Sequence, residues 1–330
     1  MLDFIESKKV DWIRLASIAS INVDSRWANG GPLVNELERR LLDVLDIPKR
    51  SVVVACASGT AALFAMIDLL SHLEGRPLTW CVPSFSFRCS VLGPLRGSHA
   101  VDCDESAMLR TDRVPADVEG MVVNNTFGSC STWETYQEFS EARNLRMVWD
   151  SAMGLASPMP QWSMVSFHHT KPWGMGEGGC AVLPCEHEGA FRSIINFGLG
   201  AGVGKEGFNG KMSDFAALPI LHRLDAIASI AESHRQEHDR IWDIARDEGV
   251  TLLHPRSEIP PFVPLLTSPG ACLDNPVVKL MRYYEPLGEA PTARSIYDRI
   301  VCFPCHPGVS RLDDEMIRLV IRGLASKKST

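Results

Sequence analysis

The chain has 330 residues, 45% of them hydrophobic and 22% charged, with a net charge of −7 from 33 basic and 40 acidic side chains. This is the composition of a soluble globular protein with two domains, or with one large α/β domain and an appendage. It excludes a disordered chain, and the mild acidic balance argues against a bulk nucleic-acid or membrane-surface binder.

The opening residues, MLDFIESKKVDW, lack the apolar stretch of a secretory signal. A cytoplasmic protein with reduced thiols among its ten cysteines is therefore expected. Asn29-Gly30-Gly31-Pro32 signals a turn with Pro at a helix start, and Leu33, Leu37, Leu41, Leu42 and Leu45 follow at helical spacing. SVVVA (51–55) is a short β-branched apolar run that predicts a buried strand, and 60–73 predicts a helix. The longest uncharged run, Val52 to Ile67, is too short for a membrane span and holds Ser58-Gly59-Thr60 in its middle. Strand-like runs recur at 79–82, 99–103, 121–125, 146–149, 164–167 and 180–183, with helical patterns at 84–93 and 132–143. This alternation predicts an α/β fold with a mostly parallel sheet sandwiched by helices.

After Gly198 the texture changes. A glycine-rich stretch (198–210) precedes two helical patterns, 212–230 and 231–247, and prolines then cluster over 254–270. The expected division is an N-terminal segment (1–24), a large domain (25–225) and a small C-terminal α/β domain (226–330).

In parallel α/β sheets, ligands bind beyond the C-terminal ends of the strands. Ser58-Gly59-Thr60-Ala61 follows one strand and opens a helix, so it reads either as a plain turn with Thr60 as N-cap or as an anion site of backbone amides and a hydroxyl. Asp150 ends the strand at 146–149, where it could hold a cationic ring nitrogen or merely cap the next turn of chain. Lys171, in SFHHTKPWGMGEGG (166–179), lies between a predicted buried strand and a Gly-rich turn. Partial burial there would lower its pKa and make it a nucleophile, whereas a surface loop lysine would be unremarkable.

These segments, in this order, resemble the DegT/DnrJ/EryC1/StrS family of pyridoxal-phosphate-dependent nucleotide-sugar aminotransferases. ASGTAAL (57–63) is similar to the family's phosphate-binding turn, and VPSFSF (82–87) to the segment whose last aromatic, here Phe87, stacks on the cofactor ring. WDSAMG (149–154) supplies the ring-nitrogen carboxylate, Asp150. SFHHTKPWGMGEGG supplies the phosphate-binding Ser166 and the Schiff-base Lys171, and GFNGKMSDFAAL (207–218) the Asn209 that reaches the partner subunit's cofactor phosphate. SRWANGGPLVNELE (25–38) and FPCHPGVS (303–310) also match the family's edges, so the resemblance spans nearly the whole chain.

The resemblance implies the fold type I transferase architecture and pyridoxal 5′-phosphate (PLP/PMP) as cofactor. It implies catalysis by Lys171 and Asp150, and phosphate binding by Gly59, Thr60, the Ala61 amide, Ser166 and Asn209. It further implies a homodimer with shared active sites, acting on small molecules: a keto-sugar nucleotide and an amino donor such as L-glutamate. Trp27, Asn29, Lys279 and Arg282 are candidate substrate contacts.

Three positions depart from the family pattern. Met153 stands where Gln or His is usual, Lys211 replaces an Arg, and Gly288 replaces a His. Alternatives are a cofactor-dependent sugar dehydratase, which in relatives carries His in place of the lysine, or a non-catalytic binding module. Cys302-Phe-Pro-Cys305-His306 matches a haem-attachment spacing and Gly202–Gly207 a dinucleotide fingerprint, but each is a lone match out of context. His168 and His169 should point to opposite faces of an extended segment. His234 and His238, four apart among charged residues, should lie on a solvated helix face. No metal site is expected.

Overall fold

The computed structural model describes residues 1–22, 24, 26–128, 133–155, 158–200, 207–253 and 259–325. Asp11 caps the first helix, α1 (Trp12–Ala19), by accepting from the amides of Ile13 and Arg14. Pro32 starts α2 (Pro32–Val44), and the leucine spacing puts Leu33, Leu37 and Leu41 in the core. β1 (Ser51–Cys56) leads into α3 (Gly59–Leu73). The cap of α3 is Ser58 rather than the expected Thr60: Ser58 is extended, so its Oγ sits over the Ala61 amide at 3.1 Å, while Thr60 is already helical.

After β2 (Trp80–Pro83) the helix expected over 84–93 is instead two short 3₁₀ turns, Arg88–Val91 and Gly93–Leu95. Gly93 has a positive φ of 56° and precedes Pro94, which stops helical propagation. β3 (His99–Val101), β4 (Gly120–Asn124), α4 (Trp133–Ala142), β5 (Arg146–Asp150), β6 (Ser163–Ser166), β7 (Gly179–Pro184) and α5 (Glu188–Ile194) complete the first half. The seven strands pair in the order β1-β7-β6-β5-β4-β2-β3. All neighbours are parallel except β7, which runs against both β1 and β6. The strands are apolar on both sides because helices cover both faces: α2 on one, and α3 and α5 on the other.

α6 (Asp214–Leu224) covers the same face as α2, and α7 (Ile227–Asp247) follows. The break falls at 225–226, not at the expected 230–231. Asp225, at the C-cap of α6, is held there by Arg14 and Arg40. Correcting a second expectation, His234 and His238 are only 2% and 3% exposed. The charged residues occupy the other side of α7, and these two turn inward, His234 to the Pro260 carbonyl and His238 onto the Trp242 ring.

The second lobe is a three-stranded antiparallel sheet, β8 (Thr251–Leu252), β9 (Phe262–Leu266) and β10 (Ile300–Pro304), in the order β10-β9-β8. With α8 (Pro291–Arg299) and α9 (Asp314–Ala325) it forms the small lobe. α7 runs into it, burying Ile241 and Ile244 with Val263, Phe303 and Ile317.

The N-terminal strand-like strap joins both lobes. Leu2 pairs with residues 277 and 279 through two backbone hydrogen bonds, and Phe4 packs against Phe262 and Tyr283. Nine described cysteines are free thiols, seven of them buried. Cys302 and Cys305 are core residues, and His306 is engaged with the Asp3 carbonyl and the Gly308 amide. Of the glycine fingerprint at 202–207, only Gly207 lies within the described residues. Among the described residues no helix is long and apolar enough to cross a membrane.

Candidate active site

β1, β5 and β6 point the same way, so their C-terminal ends bring three separate segments to one edge of the sheet. There they surround a cavity of about 360 Å³, roofed by the small lobe and by the strap. Gly59 and Thr60, Phe87, Asp150, Ser166 and Lys171 all line it.

The turn after β1 lies directly against the ends of β6 and β7. A Cβ on Gly59 would stand 3.0 Å from Ser166 Cβ, and one on Gly179 only 2.3 Å from the Gly59 nitrogen. This tight approach sets the start of α3 beside the Ser166 side chain. The helix N-terminus, Thr60 and Ser166 line the same part of the cavity, an arrangement that could take an anion. The Ala61 amide is occupied by Ser58 Oγ, which an incoming anion would have to displace.

Asp150 closes β5 with its carboxylate buried, accepting from the Ala152 amide at 2.9 Å. Burial pushes its pKa up, while that amide and the Lys171 charge pull it back. Lys171 sits in the turn after β6, its backbone held by Lys171 N–H to His168 O and Gly174 N–H to Lys171 O. Desolvation lowers the Lys171 pKa to about 8, against the opposing pull of Asp150. Its Nζ lies 3.0 Å from Met153 Sδ, so the departure at Met153 faces the lysine directly. Phe87 is 61% exposed, its ring free to lie over a planar ligand at the cavity mouth. Asn124 Oδ1, at the end of β4, is buried in the lining without a hydrogen-bond partner.

Asn209 stands outside this cavity, exposed in a segment whose Gly210 carbonyl accepts from Ala57 beside the α3 turn. Lys211 next to it donates to Asn196 and lies over the Phe197 ring at 4.9 Å. The four candidate substrate residues also lie elsewhere than in this lining. Trp27 packs on Phe215, and Asn29 donates to the Met212 carbonyl. Lys279 pairs with Asp3, and Arg282 donates to the carbonyls of Ile300 and Ala271.

The strap and the small lobe supply residues the sequence reading missed. Lys8 donates to the carbonyls of His169, Lys171 and Gly174, gathering the loop that carries Lys171. Burial, then the charge of Arg223, lowers its pKa to about 7. Glu6 pairs with Arg223; burial alone would raise its pKa, but His234 and Arg223 hold it at about 2. Tyr283, Tyr284, Phe262 and His306 form the aromatic roof. Only Asn124-Asn125 carried a local signal, as paired polar residues ending an apolar strand.

Residues 14–258 match the family model described as the DegT/DnrJ/EryC1/StrS aminotransferase family. Among curated proteins, Protein Rv3402c of Mycobacterium tuberculosis is 27% identical over 262 residues, 71% of this chain and 59% of that protein. The chain therefore spans under two thirds of that relative's length. Among solved structures, the aminotransferase TlmJ from Streptoalloteichus hindustanus superposes with a TM-score of 0.82 at 19% identity, covering 98% of each chain. A DegT DnrJ EryC1 StrS aminotransferase from Brucella abortus gives 0.77 at 22%, covering 96% of each. DesI, solved with its TDP-sugar product, gives 0.75 at 25%, over 96% of this chain and 90% of that one. At these identities the first two show the fold.

Proposed function

The chain belongs to the DegT/DnrJ/EryC1/StrS aminotransferase family, and on that premise we propose that it is a pyridoxal-phosphate-dependent aminotransferase. It moves an amino group from L-glutamate onto a keto group of a nucleotide-linked sugar. The observation that carries this reading is the meeting of Lys171, Asp150 and the Gly59-Thr60-Ser166 anion pocket in one cavity.

The residues fit the cofactor. The anion pocket would take its phosphate, with Gly59 letting the start of α3 approach Ser166, where a Cβ would stand 3.0 Å from Ser166 Cβ. Asp150 is a buried carboxylate, suited to a protonated ring nitrogen. Phe87 would cover the ring. When bound, the cofactor supplies an electron sink for negative charge at the donor Cα.

Lys171 would hold the cofactor through Nζ and, once displaced by the donor, carry a proton at the donor Cα. Its pKa of about 8 keeps a useful fraction of the amine neutral near neutral pH. Met153 offers Nζ a soft, uncharged neighbour in place of the amide or imidazole usual in the family. The aromatic roof would limit the access of water to a bound cofactor.

The proposal includes a homodimer with Asn209 reaching the partner's phosphate pocket. Phe87, Phe197, Leu199 and Phe215 are large exposed apolar side chains on or beside the segments concerned, which suits a covered surface.

One experiment tests both parts. The wild-type chain with cofactor is expected to release stoichiometric 2-oxoglutarate from L-glutamate and pass the amino group to a keto-sugar nucleotide. Lys171→Ala and Asn209→Ala chains are each expected to be inactive, and their mixture to recover activity. A wild-type chain that turns over no glutamate would overturn the donor assignment, and a mixture without recovery would overturn the shared site.

A further inference from the structure

Outside the reacting centre, the loop after β6 holds a second group of chemistry-bearing side chains. His168 and His169 do not point apart as an extended segment would require. The chain turns over 169–170, with Lys171 N–H donating to His168 O, and the two rings come to 4.1 Å between centroids. Opposite them, two backbone hydrogen bonds, Phe167 N–H to Gly178 O and His169 N–H to Gly176 O, zip the limbs of the loop together. That pairing brings Glu177 across from His168, with Oε1 3.3 Å from Nε2. One donor atom from each of His168, His169 and Glu177 lies within 4.8 Å of the other two.

We propose that His168, His169 and Glu177 form a binding site for a divalent transition-metal ion of the zinc class on the rim of the cavity. Two imidazole nitrogens and one carboxylate oxygen are a ligand set that zinc accepts, leaving a fourth position for water. Zinc–ligand bonds of about 2.0–2.2 Å require the donors to draw together by about 1 Å from their present spread, a rotation open to His169 and Glu177 because both are exposed.

The orientation of His168 is already set. Its Nδ1 lies 2.8 Å from Thr170 Oγ1, which leaves Nε2 facing Glu177, as outer-shell partners do for metal-binding imidazoles. Burial lowers the His168 pKa, Glu177 opposes it, and His169 adds to the lowering. His168 and Glu177 both line the cavity, so a bound ion would sit at its mouth and pin the loop that carries Lys171. The site needs no cofactor and stands apart from the aminotransferase reading.

The test uses cofactor-free full chain, purified without a histidine tag. Cys185→Ser and Cys272→Ser remove the exposed thiols of the described residues as competing ligands. Titration with zinc chloride against a chromophoric chelator is expected to show one ion per chain. His169→Ala and Glu177→Gln, each checked for an unchanged circular dichroism spectrum and melting temperature, are each expected to weaken binding by roughly 10–100-fold. No stoichiometric zinc, or zinc held equally well by both variants, would overturn the proposal.

Discussion

Burial strips water from the Lys171 ammonium and favours its neutral form, while Asp150 pulls the other way; the balance leaves the pKa at about 8. Only the neutral amine attacks an aldehyde. Below about 8 the Nζ lone pair is protonated, so the rate of cofactor attachment should rise as pH increases through that value and then level off. Lys8 bears on the same step from outside: its Nζ ties carbonyls of the Lys171 loop. Lys8→Met should lower the plateau by roughly 10- to 100-fold, because a misplaced nucleophile loses its orientation. Lys8→Arg should recover part of it. Stopped-flow absorbance across pH checks this, and an unchanged Lys8→Met plateau would remove the positioning role. The sequence made Lys171 and Asp150 legible because both follow apolar strands directly. Lys8 was not legible, since its neighbours carry no periodic pattern and its role is set wholly by tertiary contacts.

The site depends on how closely β7 and the start of α3 approach. An alanine at Gly179 would place Cβ 2.3 Å from the Gly59 nitrogen and 2.4 Å from the Ser58 carbonyl carbon, both backbone atoms. Gly179→Ala should therefore destabilise the fold by about 1–3 kcal/mol, lowering the urea midpoint at unchanged slope. An unchanged midpoint would show that the turn can move aside. The strands of the large lobe were legible because each is a short apolar run between turn residues. The segment 84–93 was not, because the composition suits a helix while Gly93 and Pro94 forbid one to continue. In α7 the periodic charges do mark a solvated face, but His234 and His238 belong to the opposite face, where the small lobe covers them. The two-residue strand β8 is too short to leave a periodic signal.

At the scale of the whole molecule, the strap, the small lobe and the large lobe close on one cavity. Leu2 pairs with residues 277–279, Phe4 packs under the roof, and Glu6 and Lys8 reach α6 and the Lys171 loop. The family's ordered motifs pointed to the floor of this cavity, which local strand ends build. The roof was beyond sequence reading, because Phe262, Tyr283, Tyr284 and His306 converge from separate loops that only the tertiary fold brings together. The central claim is that Lys171 is the amine that holds the cofactor. Reducing the pyridoxal-phosphate-loaded chain with borohydride and mapping its peptides by mass spectrometry tests it directly. The phosphopyridoxyl group is expected on Lys171 and on no other lysine, and to be absent from a Lys171→Ala chain. Stoichiometric label on Lys8 or elsewhere, with Lys171 unmodified, would contradict it.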